Sequence, residues 1–485
     1  MSYGSVLYYF GLLMLALAGL SVLPLVVAIA MGESAQVEGF MGTLVITGFA
    51  GGAGVLGLRG EAERDTTREW FLLPVMAWLL LPIFAALPFS YGEVTTNITD
   101  AYFEAVSGLT TTGTTVLSSL DTAPASILLW RALLQWAGGL ATVVLAVTLL
   151  SLLGIGGMQV FKSSIPRGES GSMFSRMKHL AATIWPVYLG LTVACAVALW
   201  FGGMSLFDAL CHAMSTISTG GFSTRDGSIG AFENPILELV LIVFMTMGAL
   251  NFTLHATLFS EGYRNYRDDP EVRYFVYVAL AGTIVLGLGV FFLSDSIMGP
   301  GLISSTWTGL FSAVSILSTT GYVSTGQLPF PLMPALAVFA LMMIGSSTGS
   351  TGGGLKLMRF RLLIHQSQRE LARLAHPHSV VRLRHGTRVV PDDIMAAIWA
   401  FFVLYIFCVA AATILLALGG LNFETALALA AAAVSNSGPA AGMISPADVQ
   451  SLPSSAKWVL CGAMQMGRLE ILTLLTLINP AYWRG

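Results

Sequence analysis

Four short runs of threonine, serine and glycine recur along this chain, and the chemistry they offer is that of backbone oxygen. They are Thr111-Thr112-Gly113-Thr114, Thr219-Gly220-Gly221-Phe222, Thr319-Thr320-Gly321-Tyr322 and Asn436-Ser437-Gly438-Pro439. Glycine permits backbone conformations that aim several carbonyls in one direction. Rings of such carbonyls can replace the hydration shell of a bare monovalent cation. The agreement extends upstream of each glycine. Thirteen residues before stand Asp100, Asp208, Thr308 and Thr425, all good helix N-caps. Six before stand Ser107, Ser215, Ser315 and, as the exception, Ala432; three before stand Thr110, Ser218, Ser318 and Ser435.

The pattern reads as a short helix that starts at the outer surface, dips into a membrane and stops. Its last carbonyls, the negative end of the helix dipole, then point toward the bilayer centre. An extended segment climbs back out, which is tolerated at membrane depth only where protein buries it or water reaches it. Polar outer loops with glycine in their turns explain any single Thr-Gly pair. They do not explain a shared cap, polar run and glycine in four registers. The four glycines lie 108, 100 and 117 residues apart, far too long a period for a solenoid. That spacing suits a fourfold pseudosymmetric pore whose axis runs along the membrane normal.

The elements that must hold these loops are written in the composition. Hydrophobic residues make up 55% of the 485 and charged residues only 10%, where a soluble domain carries about 25% charged. A net charge of −3 with no basic domain argues against a nucleic-acid partner. Cys195, Cys211, Cys408 and Cys461 form no C-x-x-C pair, so a disulfide framework or zinc site is not expected. The chain is a polytopic membrane protein.

A spanning helix needs about 20 mainly apolar residues. Ten spans are expected, at 5–31, 39–58, 70–91, 129–153, 183–203, 235–259, 273–294, 329–348, 394–419 and 456–480. The first lacks a basic start and is too long for a signal-peptide core. With the N-terminus cytoplasmic, inner loops hold 18 Lys and Arg residues and outer segments hold one, Arg225, as the positive-inside rule requires. The fold class is thus all-α, with two extra N-terminal helices (1–60) and four helix–pore loop–helix repeats. The repeats cover 61–160, 161–262, 263–375, whose inner helix is interrupted, and 376–485.

The interruption is Gly345-Ser346-Ser347-Thr348-Gly349-Ser350-Thr351-Gly352-Gly353-Gly354, followed by Leu355-Lys356. Five glycines in ten residues cost a helix about 1 kcal/mol each, so a flexible loop is expected there, lying under the four outer loops. Gly345-x-Ser347-x-Gly349 fits the serine-hydrolase elbow, with His255 as a conceivable base, but that motif needs a strand before it. The run ending Gly354-Leu355-Lys356 lacks the Gly-Lys-Ser/Thr ending of a phosphate loop. Arg468 falls about 12 residues into the last apolar span. An arginine there is costly unless it faces water or a partner, so it is a candidate to repel cations or to hold the loop closed. Its structural alternative is a pair with a backbone carbonyl or with Glu470. Gln135 and Asn251 read as polar packing contacts.

Eleven acids in the outer segments, among them Glu33, Asp100, Glu104, Asp121, Asp208, Asp226 and Asp448, stand against one arginine, the right sign for concentrating cations at a mouth. On the inner side, His376-Pro377-His378 lacks further metal ligands, and Arg369, Arg373, Arg382, Arg384 and Arg388 suit a cytosolic partner or anionic lipid headgroups. Asn97-Ile98-Thr99 is a glycosylation sequon on the outer side.

The four dipping loops, with Gly345–Lys356 and the ending Gly467-Arg468-Leu469-Glu470, resemble the Trk/Ktr/HKT superfamily of cation transporters. The two extra helices and Leu153-Gly154-Ile155-Gly156-Gly157-Met158-Gln159 resemble its bacterial Trk branch. The resemblance runs from about residue 5 to the C-terminus. It implies K⁺ as the transported ion, passing a filter of Thr111, Thr112, Gly113, Thr219, Gly220, Gly221, Thr319, Thr320, Gly321, Asn436, Ser437 and Gly438. Glycine at all four filter positions favours K⁺ over Na⁺; Asn436 and Pro439 make the fourth loop the most divergent. The resemblance also implies an intramembrane gate comprising Gly345, Ser346, Gly349, Gly352, Gly353, Gly354 and Lys356 together with Arg468. It implies a homodimer in a bacterial inner membrane with both termini cytoplasmic, regulated by a cytosolic TrkA-type nucleotide-binding subunit. No organic cofactor is expected in this chain. The competing readings are a Na⁺- or H⁺-coupled K⁺ symporter, against which stands the lack of acids deep in the spans other than Glu470, and an intramembrane serine protease.

Overall fold

The computed structural model describes residues 3–61, 69–91, 94–95, 97–145, 173–293, 301–324, 332–377, 383–385 and 388–469. The expected loop Leu153–Gln159, the histidine at 378, Arg382 and everything from Glu470 onward lie outside them. The regular secondary structure among the described residues is helical apart from one two-residue ladder, β1 Arg384–His385 against β2 Arg388–Val389.

Two apolar helices open the chain, α1 (Tyr3–Met31) and α2 (Ser34–Gly57). Then come α3 (Glu69–Ala85), α4 (Leu87–Ser90), the short α5 (Ile98–Leu109) and α6 (Ala125–Leu145). The next group is α7 (Met173–Phe201), α8 (Leu206–Ile217), α9 (Pro235–Ala249), α10 (Phe252–Glu261) and α11 (Arg264–Asp268). It is followed by α12 (Pro270–Leu293), α13 (Leu302–Leu317), α14 (Leu332–Ile344) and α15 (Leu357–Ala375). The chain ends with α16 (Asp392–Leu418), α17 (Phe423–Ser435) and α18 (Ser454–Arg468). Seven described helices are long and apolar enough to cross a membrane. Along α16 the apolar residues run round the whole helix: Phe401 and Tyr405 are buried against protein while Val403, Phe407 and Ile414 are exposed. A helix apolar all round belongs in lipid.

Two expectations need correction. The span expected at 235–259 is broken: α9 and α10 meet at 101°. Asn251 makes the break, its Oδ1 accepting from the Thr253 N–H at 2.9 Å and starting a new helix as an N-cap. The second correction concerns the caps. Asp100, Asp208 and Thr425 sit three residues inside their helices, and their N–H groups are capped by Asn97, Ser205 and Asn422 at 2.8–3.0 Å. The Ser205 hydroxyl also donates to the Asp208 carboxylate at 2.8 Å. Thr308 lies in mid-helix, because α13 starts earlier, at Leu302. The sequon asparagine Asn97 is therefore also a helix cap.

The short helices α5, α8, α13 and α17 have 12, 12, 16 and 13 residues. At about 1.5 Å per residue none reaches across a hydrocarbon layer of about 30 Å. Their C-terminal halves are fully buried, and Ala426 and Ala430–Ala433 keep α17 slim enough to sit deep in the protein.

Candidate functional site

Each short helix ends in the same backbone turn. Thr111, Thr219, Thr319 and Asn436 all adopt left-handed conformations, with φ of 53°, 51°, 61° and 52°. Such a φ costs an ordinary residue roughly 1–2 kcal/mol, least for asparagine, so Asn436 preserves the geometry that its residue type only seems to break. Two residues on, Gly113, Gly221 and Gly321 have φ near 80°. Gly438 does not share that φ; it opens a 3-10 turn, Gly438–Met443, with Pro439 in its first turn. The fourth loop thus departs from the others at its glycine.

One N–H group in each loop is bound to its own helix. Thr112 N–H donates to the Ser107 carbonyl at 2.9 Å, Gly220 to Ser215 at 2.8 Å, Gly321 to Ser315 at 3.0 Å and Ser437 to Ala432 at 2.9 Å. The acceptors are the residues recurring near the glycines in sequence. They serve through backbone carbonyls, which is why alanine fits as well as serine. Among the described residues, the carbonyls of Thr111, Thr219, Thr319 and Asn436 accept no hydrogen bond, and all four residues are at most 1% exposed.

The loops touch in cyclic order. A Cβ on Gly113 would strike the Gly220 carbonyl, one on Gly221 the Thr320 carbonyl, and one on Gly321 the Pro439 ring. Gly438 N–H closes the circle by donating to the Thr112 carbonyl at 2.6 Å. Asn436 adds a second tie, its Nδ2 donating to Thr112 Oγ1 and to the Met464 carbonyl, both at 2.9 Å. Above the ring a vestibule of about 780 Å³ is lined by Gly113, Gly221, Gly438, Arg225, Asp226 and Asp448, among others.

Supports behind the ring went unread in the sequence. Gln135 Nε2 donates to the Gly220 carbonyl at 2.7 Å, and its Oε1 accepts from Phe222 N–H at 3.2 Å. Arg131, one turn earlier, pairs with Glu104 at 2.7 Å, donates to the Ser223 carbonyl at 3.0 Å and lies 3.9 Å over the Phe222 ring. Glu104 in turn accepts from Thr115 and from Val116 N–H. Asp100 pairs with buried Lys457 at 2.6 Å. The expected acidic mouth is therefore largely occupied. Asp100, Glu104 and Asp208 hold cations of the protein, Glu33 receives the Ala125 N–H, and Asp226 receives the Leu120 N–H.

Directly beneath lies the segment from Gly345 to Lys356, all of it buried except partly exposed Gly354. Gly345, Gly349, Gly354 and Lys356 have φ of 70–79°. Far from hanging loose, the segment is tied to three short helices. Thr351 Oγ1 donates to the Ile217 carbonyl at the end of α8, Gly353 N–H to Thr319 Oγ1 beyond α13, and Gly353 abuts the Ser435 carbonyl ending α17. Ser346 and Ser350 bond each other, and Lys356 Nζ reaches back to the Gly352 carbonyl. Arg468, only 4% exposed, donates through Nη1 to the Thr351 carbonyl at 2.8 Å. Of its two structural alternatives, a backbone carbonyl is found, while Glu470 lies outside the described residues. His255 is no base for Ser347: its ring nitrogens bond Tyr266 and the Met247 carbonyl, while Ser347 bonds Glu271.

A family model described as "Cation transport protein", TrkH, matches residues 38–484. The chain is 38% identical to the Trk system potassium uptake protein TrkH of Salmonella typhimurium, over 98% of both chains. It is also 38% identical to the TrkH of Vibrio parahaemolyticus over the full length of both. The crystal structure of the potassium transporter TrkH from Vibrio parahaemolyticus matches all of both chains with a TM-score of 0.91 at 35% identity. These are transport proteins and not enzymes, which removes the hydrolase pattern at Ser347. The protein is a polytopic membrane protein that belongs to the TrkH family of cation transport proteins.

Proposed function

We propose that this chain is the K⁺-translocating, channel-like subunit of a bacterial potassium uptake system. K⁺ passes the ring built from Thr111–Gly113, Thr219–Gly221, Thr319–Gly321 and Asn436–Gly438. The observation that carries this reading is the ring's economy of hydrogen bonds. In each loop an N–H group is bound to its own short helix, while the buried carbonyls of Thr111, Thr219, Thr319 and Asn436 accept no hydrogen bond among the described residues. A buried carbonyl without a partner costs about 1–3 kcal/mol, and a dehydrated cation is the partner that four such groups in a circle fit.

In this reading the four segments 61–160, 161–262, 263–375 and 376–485 are one pore unit each, and residues 1–60 stand outside the pore. Gly345–Lys356 is the gate, closed as described, with Arg468 as its bolt. The chain acts as a homodimer in the bacterial inner membrane, termini cytoplasmic, under a TrkA-type nucleotide-binding subunit that reads the basic inner face around Arg369 and Arg373, where anionic lipid headgroups also bind.

The test is rubidium tracer uptake into proteoliposomes holding the purified chain, driven by a K⁺ gradient, with Na⁺ as competitor and Gly221→Asp as control. Uptake that Na⁺ barely inhibits and Gly221→Asp abolishes is expected, with the TrkA-type subunit added if the chain alone is closed. Uptake that requires an imposed Na⁺ or proton gradient would overturn passive conduction in favour of coupled symport.

A further inference from the structure

We infer that Glu271 is the positioning residue that latches the gate, tying Gly345–Lys356 to the connection between α10 and α12. The inference rests on the reading of that segment as the gate and adds the element that holds it.

Glu271 stands in the first turn of α12. An acid there ordinarily needs no explanation beyond the helix dipole, and it would face solvent. Glu271 instead is 4% exposed, and its Oε2 takes two hydrogen bonds from the gate segment: one from the Ser347 hydroxyl and one from the Thr348 N–H at 2.8 Å. Lys356, at the far end of the same segment, acts on it electrostatically.

The α9–α10 bend, at the start of the same stretch of chain, grips the same part of the segment. Ser347 N–H donates to the Ala249 carbonyl at 3.0 Å, and Phe252 N–H donates to the Gly349 carbonyl at 3.1 Å, on either side of the sharp α9–α10 bend. Residues 249–271 therefore clasp the gate twice, once through backbone and once through Glu271. Between the two grips run α10, α11 and Asp269, whose Oδ1 caps Glu271 N–H at 2.7 Å and Val272 N–H at 3.2 Å. Displacing that stretch, on the side read as cytoplasmic, pulls Glu271 away from Ser347 and Thr348. The filter is untouched, because none of the bonds of Glu271 goes to the ring.

The test is tracer flux through the full-length chain in proteoliposomes without any partner, for Glu271→Ala, Glu271→Gln and Ser347→Ala. Glu271→Ala is expected to raise rubidium flux about tenfold or more, the equivalent of one hydrogen bond to a charged group. Ser347→Ala should raise it less, and the double variant no further than Glu271→Ala alone, because both remove one interaction. The rubidium-to-sodium ratio should stay that of the parent. Glu271→Gln keeps the shape and guards against a folding defect in the alanine variant. Unchanged or reduced flux in Glu271→Ala and Ser347→Ala, both monodisperse and thermally stable, overturns the latch, whereas Glu271→Gln, whose amide oxygen can still accept from Ser347 and Thr348, should leak less than Glu271→Ala. A Gly221→Asp substitution on the Glu271→Ala background separates the two readings. Flux that survives it bypasses the ring, so the pore reading fails; flux that it abolishes, with Glu271→Ala no leakier than the parent, fails the latch alone.

Discussion

Gln135 Nε2 lies 2.7 Å from the Gly220 carbonyl oxygen, and its Oε1 lies 3.2 Å from the Phe222 nitrogen, so one buried side chain spans Gly221 like a staple. Both groups of the amide are used and neither meets water. Replacing Gln135 with leucine keeps the volume but leaves a buried carbonyl and an N–H unpaired, a cost of about 1–3 kcal/mol each. We expect Gln135→Leu to fold, because the helix around it is apolar, but to widen the second loop. The rubidium-to-sodium uptake ratio should fall several-fold, and an unchanged ratio would mean that the staple is decorative.

One turn away on α6, the Glu104–Arg131 pair is the most completely buried of the ion pairs, at 0% and 1% exposed. Removing one partner of such a pair strands a charge and costs roughly 3–5 kcal/mol, while removing both for apolar residues is often neutral. Glu104→Gln and Arg131→Met should each lower the unfolding temperature in detergent sharply. The double variant should recover much of it. Recovery of stability without recovery of transport would show that Arg131 shapes the Phe222–Ser223 backbone as well as holding the fold.

How far the sequence carried this structure depends on how far apart the cooperating residues lie. Lipid demands apolarity over one contiguous stretch, so the spanning helices are local features and most stand where the composition puts them. The loops at Thr111, Thr219, Thr319 and Asn436 are local too, since a left-handed turn beside a glycine is a matter of three residues. Gln135 and Gly220 are 85 residues apart, and Asp100 and Lys457 are 357 apart; no spacing rule reaches across that. A weaker signal was there. The rule that singles out Arg468 as an arginine inside an apolar helix applies equally to Arg131, and Gln135 sits four residues on, on the same face. The α9–α10 break was hidden because Phe252 and Leu254 carry the apolar pattern straight through Asn251.

At the outer end, Asp208 accepts from Thr224 at 2.6 Å, from Ser205 at 2.8 Å and from Arg225 at 3.1 Å. Burial pushes its carboxyl up, but these three hydrogen bonds outweigh burial and hold it below the usual carboxylate range. A lowered folded-state value contributes stability above the unfolded value, near pH 4, and that contribution is lost as pH falls through the folded value. Arg225→Gln should therefore lower stability slightly at neutral pH, since the arginine is 41% exposed, leave stability unchanged well below about pH 4, and move the remaining acid-side loss to higher pH. Thermal unfolding as a function of pH reads the shift directly.

Arg468 separates two ways of closing a pore. Its Nη1 holds the Thr351 carbonyl, and Thr351 in turn holds Ile217 and Gly248, so in the proposed reading the guanidinium fastens the gate mechanically as well as supplying a positive charge. Lysine keeps the charge but has no planar fork to reach the same carbonyl in the same way; methionine keeps bulk and loses both. If charge alone blocks cations, Arg468→Lys should be as closed as the parent and only Arg468→Met should leak. If the hydrogen bond to Thr351 is what holds the segment, both should leak, lysine almost as much as methionine. The geometry favours the second outcome, because the bond that Arg468 makes among the described residues goes to the backbone of the segment we read as the gate. Tracer flux of the two variants, measured side by side without a partner, decides between them.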